Sequence, residues 1–265
     1  MARNEDLKQI IYIFVNAHDQ NVISHGISFQ EFFQSLENPP SNLLLLNKDS
    51  ELAEIHPDTQ LAYLTQDKLD QFLKSALYKM EKFSWIDFEE TYNLDTIEGR
   101  ELAELLYLGH LNKHLELPFY KKLNNRFVYL TSMEGYFNKI YYRNPKDFYY
   151  MLGEVLSKRI SEMKLERGLF NFKKRKPYPP INQTILKKLE PVLAEGVAFS
   201  FHSLKQSRAE VNIPFWIVGD YFDMEDMMEG FSDKSSSKPD GRIIFDKKLK
   251  DWSIQFAENK VTVNI

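Results

Sequence analysis

The sequence predicts an α+β fold, with a helix-rich N-terminal half, a central β-hairpin followed by a long helix, and a β-rich C-terminal part. In the centre, the runs FVYL and YFNKIYY flank a short loop that ends at Gly135, a pattern typical of a hairpin. Both runs are apolar on both faces, which is typical of buried strands. After Asn144-Pro145, apolar residues recur at helical steps up to Met163, which predicts one long helix.

Several segments of the N-terminal half predict helices. Ser28-Phe29-Gln30-Glu31 is a capping box, which predicts a helix that Pro39-Pro40 stops. The start of the chain is ambiguous, because Ile10–Val15 fits either a helix capped by Asn4 or a short buried strand. Three further helices are predicted over Gln66–Met80, from Ser84 through Tyr92, and from Asp95 or Thr96 to the region of His114.

Two domains are predicted. Residues 1–168 form a mainly helical domain that includes the hairpin and its covering helix. Residues 169–265 form a smaller β-rich α+β domain after a basic, proline-containing linker that begins beyond Gly168.

The C-terminal domain shows strand patterns after a helix that Thr184 caps. Pro214 indicates that its strand begins there or lies at a sheet edge. Strands are predicted over residues 197–201 and 213–218, and two more as a hairpin around Lys247–Lys250. The sequence also predicts a short acidic helix over Tyr221–Phe231 and a mobile polar loop over Ser232–Gly241.

The composition excludes several classes of protein. The chain has 265 residues and no Cys, which excludes disulfides, thiolate catalysis and Cys-ligated zinc. The apolar run Ile10–Val15 is too short for a signal-peptide core or a membrane span, so we expect a soluble cytosolic protein with no membrane partner. No GxSxG, P-loop or Rossmann glycine pattern is present, which gives nucleophilic catalysis little support.

The charge of the chain is unevenly distributed. Its net charge is −4, yet the segment Lys158–Lys188 holds ten Lys/Arg and two Glu, so this segment carries +8 and the rest carries −12. Within it, Lys173, Lys174, Arg175 and Lys176 precede Tyr178. A basic cluster with an aromatic residue is typical of phosphate contact, which predicts a nucleic acid or an acidic protein as partner. The alternative is a solvated interdomain linker.

His110 and His114 are a candidate metal pair. Two His four residues apart on a helix can share one divalent ion. However, the zinc-protease pattern requires Glu directly after the first His, and Leu111 stands there. No third ligand is fixed by the sequence, and the alternative is a pair of ordinary surface or packing histidines.

An acidic cluster lies near the C-terminal end of the chain. Clustered carboxylates can bind Mg²⁺ or Ca²⁺, but the spacing here fits no EF-hand loop. We favour a solvated acidic helix face, or a surface that meets the basic segment. Its members are Asp220, Asp223, Glu225, Asp226 and Glu229.

The leading functional hypothesis is a binding or regulatory protein whose basic segment meets an anionic partner. One alternative is a metal-dependent hydrolase that uses His110 and His114, and another is a protein-interaction module. The sequence leaves open whether the protein is an enzyme.

Overall fold

The computed structural model describes residues 9–46, 51–75, 84–98, 101, 119–131, 137–166 and 177–257. Within these residues the chain forms thirteen strands, six α-helices and one 3₁₀ helix, Thr91–Thr96. The strands are β1 (Ile10–Asn16), β2 (Asn21–His25), β3 (Asn42–Leu45), β4 (Glu54–Ile55), β5 (Ala62–Leu64), β6 (Trp85–Phe88), β7 (Phe127–Thr131), β8 (Phe137–Tyr142), β9 (Val197–Ser200), β10 (Lys205–Gln206), β11 (Glu210–Ile217), β12 (Gly241–Asp246) and β13 (Asp251–Phe256). The α-helices are α1 (Phe29–Gln34), α2 (Gln66–Ser75), α3 (Pro145–Glu166), α4 (Gln183–Lys187), α5 (Glu190–Leu193) and α6 (Met224–Ser235).

The chain divides into two compact units that are discontinuous in sequence. Unit 1 draws on residues 1–15, 24–37 and 146–265, and unit 2 on residues 16–23 and 38–145. This division follows spatial contacts, whereas the predicted boundary at residue 168 followed composition. That boundary stays a prediction.

Unit 1 contains an antiparallel sheet in the strand order β13-β12-β11-β9-β1, and the short β10 pairs with the first part of β11. Successive side chains of a strand point to opposite faces. The inner face of this sheet carries buried residues such as Ile213, Phe215 and Phe245. The opposite, outer face carries Asn212, Pro214 and Trp216, and it becomes important below.

Helix α3 supplies the apolar stripe that the sequence predicted. Phe148, Met151, Leu152, Val155, Leu156 and Ile160 are all buried. The helix lies against the segment before α4, where the Ile181 N–H donates to the Gly153 carbonyl at 3.4 Å. It also contacts α1 through an ion pair between Arg159 and Glu31. These contacts make α3 a central packing element of unit 1.

Unit 2 contains antiparallel strands in the order β8-β7-β6-β3-β5-β4. Its core includes the buried residues Leu44, Ile86, Leu94, Val128 and Tyr141. The rings of Trp85 and Tyr129, which are cross-strand partners, stack at a centroid distance of 5.3 Å. Cross-strand aromatic pairs of this kind fix the register of a sheet.

The predicted helix-rich N-terminal half is wrong. Before residue 132 the described residues form seven strands, two short α-helices and the 3₁₀ helix. Trp85–Phe88, predicted to be helical, is a strand in which all four residues are buried. Ile10–Val15 lies in β1, so the strand alternative is correct. Short runs buried on both faces have no alternation, and periodicity therefore cannot distinguish them from buried helix segments.

Other local predictions are confirmed. The capping box at Ser28 is present, β7 and β8 form the central hairpin, and α3 begins at Pro145. The hairpin around Lys247–Lys250 is also present, as β12 and β13.

The predicted loop Ser232–Gly241 is wrong in its first four residues, which belong to α6. No helix among the described residues is long and apolar enough to cross a membrane.

Candidate anion-binding surface

Among the described residues, the outer face of the unit 1 sheet is only partly covered. At one end, α6 packs on it: the ring of Phe231 meets Trp216 edge-on at 5.8 Å, and Trp216 Nε1 donates to the Ser237 carbonyl at 3.3 Å. Beyond that contact lies a groove with a volume of about 170 Å³.

An interruption of the sheet produces this groove. Strand β9 pairs with residues 215–217 of β11, and β10 pairs with residues 211–212. On that side, Ile213 and Pro214 therefore have no partner in either strand. Pro214 accordingly lies in a central strand, but at a local edge where its missing N–H is tolerated.

Two cations line the groove. The Cα of Lys205 lies opposite that of Asn212, and the Cα of Arg242 lies opposite that of Pro214. Side chains of directly opposed residues share a face, so both cations project from the outer face. Lys205 is exposed and Arg242 is partly buried. Within the described part of the chain, neither side chain forms an ion pair.

Asn212, which lines the groove, has one hydrogen-bonded and one unpaired amide atom. Its Nδ2 donates to Glu210 Oε1 at 2.9 Å. Its Oδ1 is buried and has no hydrogen-bond partner, and the residue is only 8% exposed. Buried polar atoms are nearly always hydrogen-bonded, so an exception calls for a physical explanation.

The turn between β12 and β13 adds further cations. This turn, here called the tip, is Lys247-Lys248-Leu249-Lys250, and Leu249 is 74% exposed. Asp246 Oδ1 accepts hydrogen bonds from the backbone N–H of Lys248 at 2.7 Å and of Leu249 at 2.9 Å, which fixes the turn. The Lys247 side chain donates to the Ser207 carbonyl, beside the exposed Arg208. The tip and the loop that carries Arg208 are thus adjacent.

These cations form what we call the basic surface, which consists of Lys205, Arg208, Arg242, Lys247, Lys248 and Lys250. Three acids lie in one cross-strand row nearby: Glu210 opposite Asp246, and Asp246 opposite Asp251. Each of these acids accepts a hydrogen bond from an amide group. The six cations exceed these three acids by three, and a fourth acid, Asp240, lies two residues before Arg242 and accepts from the Ile217 N–H.

The structure locates only part of the basic segment predicted from sequence. Lys173, Lys174, Arg175 and Lys176 lie outside the described residues. Tyr178 is 8% exposed, and its ring meets Phe245 edge-on at 5.0 Å and Trp252 at 6.4 Å. Contact of these five residues with an anion stays a prediction.

The predicted metal pair, His110 and His114, also lies outside the described residues. Among the residues that the structure does describe, no group of three or more His, Asp or Glu side chains is arranged to hold a metal ion. Divalent metal binding by the pair stays a prediction.

The acidic cluster lies on and just before α6, and all five of its carboxylates are exposed. Asp223 is the N-cap of α6 and accepts from the Asp226 N–H at 2.9 Å. The hydrogen bond and the charge of the Asp223 carboxylate raise the pKa of Asp226 above its ordinary value. Capping explains these acids without a ligand, since acids favour helix N-termini.

The described residues of unit 2 include a cluster around His56. His56 Nδ1 accepts from the Thr59 N–H at 3.3 Å and lies 3.0 Å from Thr59 Oγ1, while Nε2 lies 3.0 Å from Asp95 Oδ1. The backbone bond makes Nδ1 an acceptor, so the proton resides on Nε2 and is donated to Asp95. The order hydroxyl, imidazole and carboxylate occurs in hydrolases. Here the hydroxyl is already tied into a turn, and we assign the cluster a structural role.

Comparisons with known proteins give no further guide, because no protein-family model, curated protein or solved structure matches this chain. Sequence analysis missed the basic surface. Its one local signal was three lysines in a four-residue turn. The groove depends on strand register and had no sequence signal.

Proposed function

We propose that this chain is a binding or regulatory protein that contacts an anionic partner through the basic surface of unit 1. Its most direct support is the pair Lys205 and Arg242, which line one groove and have no carboxylate partner among the described residues. Cations that outnumber the acids on one surface are the usual electrostatic footprint of phosphate contact. We further propose a cytosolic location, since a chain without Cys suits a reducing compartment.

Nucleic-acid phosphates are the favoured partner. Lysines on an exposed turn can follow a phosphate backbone with little shape complementarity. An acidic protein partner would need a better-packed interface with an apolar centre. The tip offers only Leu249 for such a centre. Contact of the basic segment Lys173–Lys176 with the same partner is proposed on its charge alone. Tyr178, two residues further on, packs against Phe245 and Trp252 on the inner face.

The proposal is tested by fluorescence anisotropy with two labelled probes of equal charge, a single-stranded oligonucleotide and a polyglutamate peptide. We expect the oligonucleotide to bind, with log affinity falling against log salt by about 0.7 for each phosphate contacted on a single strand. If only the peptide binds, the partner is an acidic protein and not a nucleic acid. No binding of either probe at low salt would remove the proposal.

The metal-dependent hydrolase with His110 and His114 and the protein-interaction module stay alternative proposals. Metal analysis of protein purified without added metal tests the first. Near-stoichiometric zinc that is absent from His110→Ala would favour it.

A further inference from the structure

The tip presents one apolar side chain among its cations. Leu249 stands between Lys248 and Lys250, and at 74% it is the most exposed large hydrophobic residue that the structure describes. A single exposed apolar residue is common on protein surfaces and needs no explanation by itself. Its position matters here, because a partner that covers the neighbouring lysines also covers Leu249.

The turn holds Leu249 in place without using its side chain. Asp246 Oδ1 accepts from the Leu249 N–H at 2.9 Å, and the Lys250 N–H donates to the Asp246 carbonyl at 2.8 Å. Lys250 completes the turn with a positive φ of 58°. The turn therefore depends on its backbone and on Asp246, and it does not require a leucine. A side chain on a backbone that is already ordered loses less entropy when it binds a partner.

The groove adds apolar lining beside its two cations. Pro214, Trp216 and Pro239 line it together with Lys205 and Arg242. A ligand group that enters the groove therefore meets apolar surface as well as positive charge. The basic surface thus combines these two kinds of contact at two places, the tip and the groove.

Single-stranded nucleic acid offers the matching pair of chemical surfaces. Its phosphates supply negative charge, and its unpaired bases expose apolar ring faces beside that charge. In a duplex the base faces stack on one another, so a side chain on a protein surface does not reach them. A surface that uses charge alone would favour the duplex, because the duplex has the higher charge density.

We propose that the basic surface binds single-stranded nucleic acid in preference to duplex, with the Leu249 side chain against the face of an unpaired base. The lysines of the tip contact the phosphates beside that base, and Lys205 and Arg242 contact a further phosphate at the groove. The inference rests on the proposed nucleic-acid-binding function of unit 1 and specifies the form of the polymer.

The test is fluorescence anisotropy of the whole chain with a labelled single strand and, separately, with the duplex that this strand forms with its complement. The duplex carries more phosphates on the same length, so charge alone predicts that it binds at least as tightly. We expect the single strand to bind at least about threefold more tightly, because burying an exposed leucine contributes that much or more. Equal affinity for the two polymers, or tighter binding of the duplex, would overturn the proposal.

Two substitutions assign the preference to Leu249. Leu249→Ala should weaken binding of the single strand about fivefold and leave duplex binding unchanged, because it removes apolar surface that only the single-strand complex buries. The slope of log affinity against log salt should keep its wild-type value, since no charge is removed. Leu249→Trp should tighten binding of the single strand about fivefold, because an indole ring stacks on a base.

Ile55→Ala is the matched control. Ile55 is an exposed apolar residue of unit 2, at 52%, and its substitution should change the affinity for neither polymer. Leu249 is exposed as well, so its two variants should melt at the wild-type temperature, and a change in affinity then reports on the contact itself.

The outcomes separate this inference from the function on which it rests. Salt-dependent binding of both polymers without a preference for the single strand would keep a nucleic-acid-binding protein and overturn the role of Leu249. Equal weakening of both polymers by Leu249→Ala would mean that the side chain wedges between paired bases, which would also overturn the proposal. Binding of neither polymer would remove the proposed function and this inference together.

Discussion

Arg159 forms a two-pronged ion pair with Glu31, the same carboxylate that closes the capping box of α1. Arg159 Nη2 lies 2.8 Å from Glu31 Oε2, and Glu31 Oε2 also accepts from the Ser28 N–H at 3.0 Å. Arg159 Nη2 donates in addition to the Gly26 carbonyl at 2.6 Å. One carboxylate thus fixes the start of α1 and holds α1 against α3.

Glu31→Gln should lower the free energy of unfolding by about 1–3 kcal/mol at pH 7, because it removes charged hydrogen bonds at a site about one-fifth exposed. Burial alone would raise the pKa of Glu31, but Arg159 and Ser28 outweigh it and hold the pKa below 4.5. This stabilisation is therefore present above pH 4.5 and lost as pH falls through the folded-state pKa. Urea denaturation at several pH values measures it. An exposed acid on α3, changed in Glu162→Gln, is the control. Equal effects of the two substitutions at pH 7 would contradict the prediction.

Asp87 in unit 2 should show the opposite pH dependence. Burial raises its pKa to about 6, although its carboxylate accepts from the N–H groups of Phe127 and Arg126. A carboxyl whose folded-state pKa is raised above its ordinary 3.8 contributes stability that is present below pH 3.8 and lost as pH rises through 6.

Asp87→Asn cannot ionise and should therefore lack this pH-dependent contribution. The stability of wild type relative to Asp87→Asn should fall by up to about 3 kcal/mol between pH 4 and pH 7. Chemical denaturation of both proteins across that range gives the difference directly. A difference that is constant with pH would show that Asp87 keeps an ordinary pKa in the fold.

Leu152 tests whether the α3 stripe is core. The residue is fully buried, so Leu152→Ala should destabilise the protein by about 2–4 kcal/mol through reduced burial and a cavity. Glu162→Ala, exposed on the same helix, should change the melting temperature little. Similar melting temperatures for both variants would show that this face of α3 is not a packing surface.

Gly153 tests the close approach of α3 to the segment before α4. A Cβ at this position would lie 2.3 Å from the Ile181 carbonyl oxygen, a backbone atom that cannot move aside alone. Gly153→Ala should therefore lower stability by about 1–2 kcal/mol, although Ala is the better helix former by about 1 kcal/mol. Thermal unfolding of both proteins would show whether the substitution lowers or raises the melting temperature. A gain in stability would mean that the segment adjusts without cost.

Local patterns were readable from the sequence where one element carried the whole signal. The Ser28 to Glu31 spacing, the Asn144-Pro145 helix start and the β7–β8 hairpin needed no partner elsewhere in the chain. The segment Trp85–Phe88 did need partners from elsewhere in the chain. Its four consecutive buried residues become a strand only because β3 and β7 lie on either side.

The candidate site was less accessible to sequence analysis for the same reason. Lys205, Asn212 and Arg242 come from three strands, and only the register of β10, β11 and β12 brings them together. The unpartnered state of the Asn212 oxygen follows from that register and from its bond to Glu210. No spacing in the chain encodes either fact.

The most direct test of the central claim compares two variants of equal charge change in the oligonucleotide assay. The first replaces three tip lysines with Gln: Lys247, Lys248 and Lys250. The second replaces three exposed lysines outside both the tip and the segment Lys158–Lys188: Lys121, Lys146 and Lys234. We predict that the tip variant flattens the salt slope by about 0.7 for each phosphate that the protein no longer binds, up to about 2, while the control keeps the wild-type slope. Equal slopes for the two variants would show that only net charge attracts the polymer, and would contradict a specific basic surface.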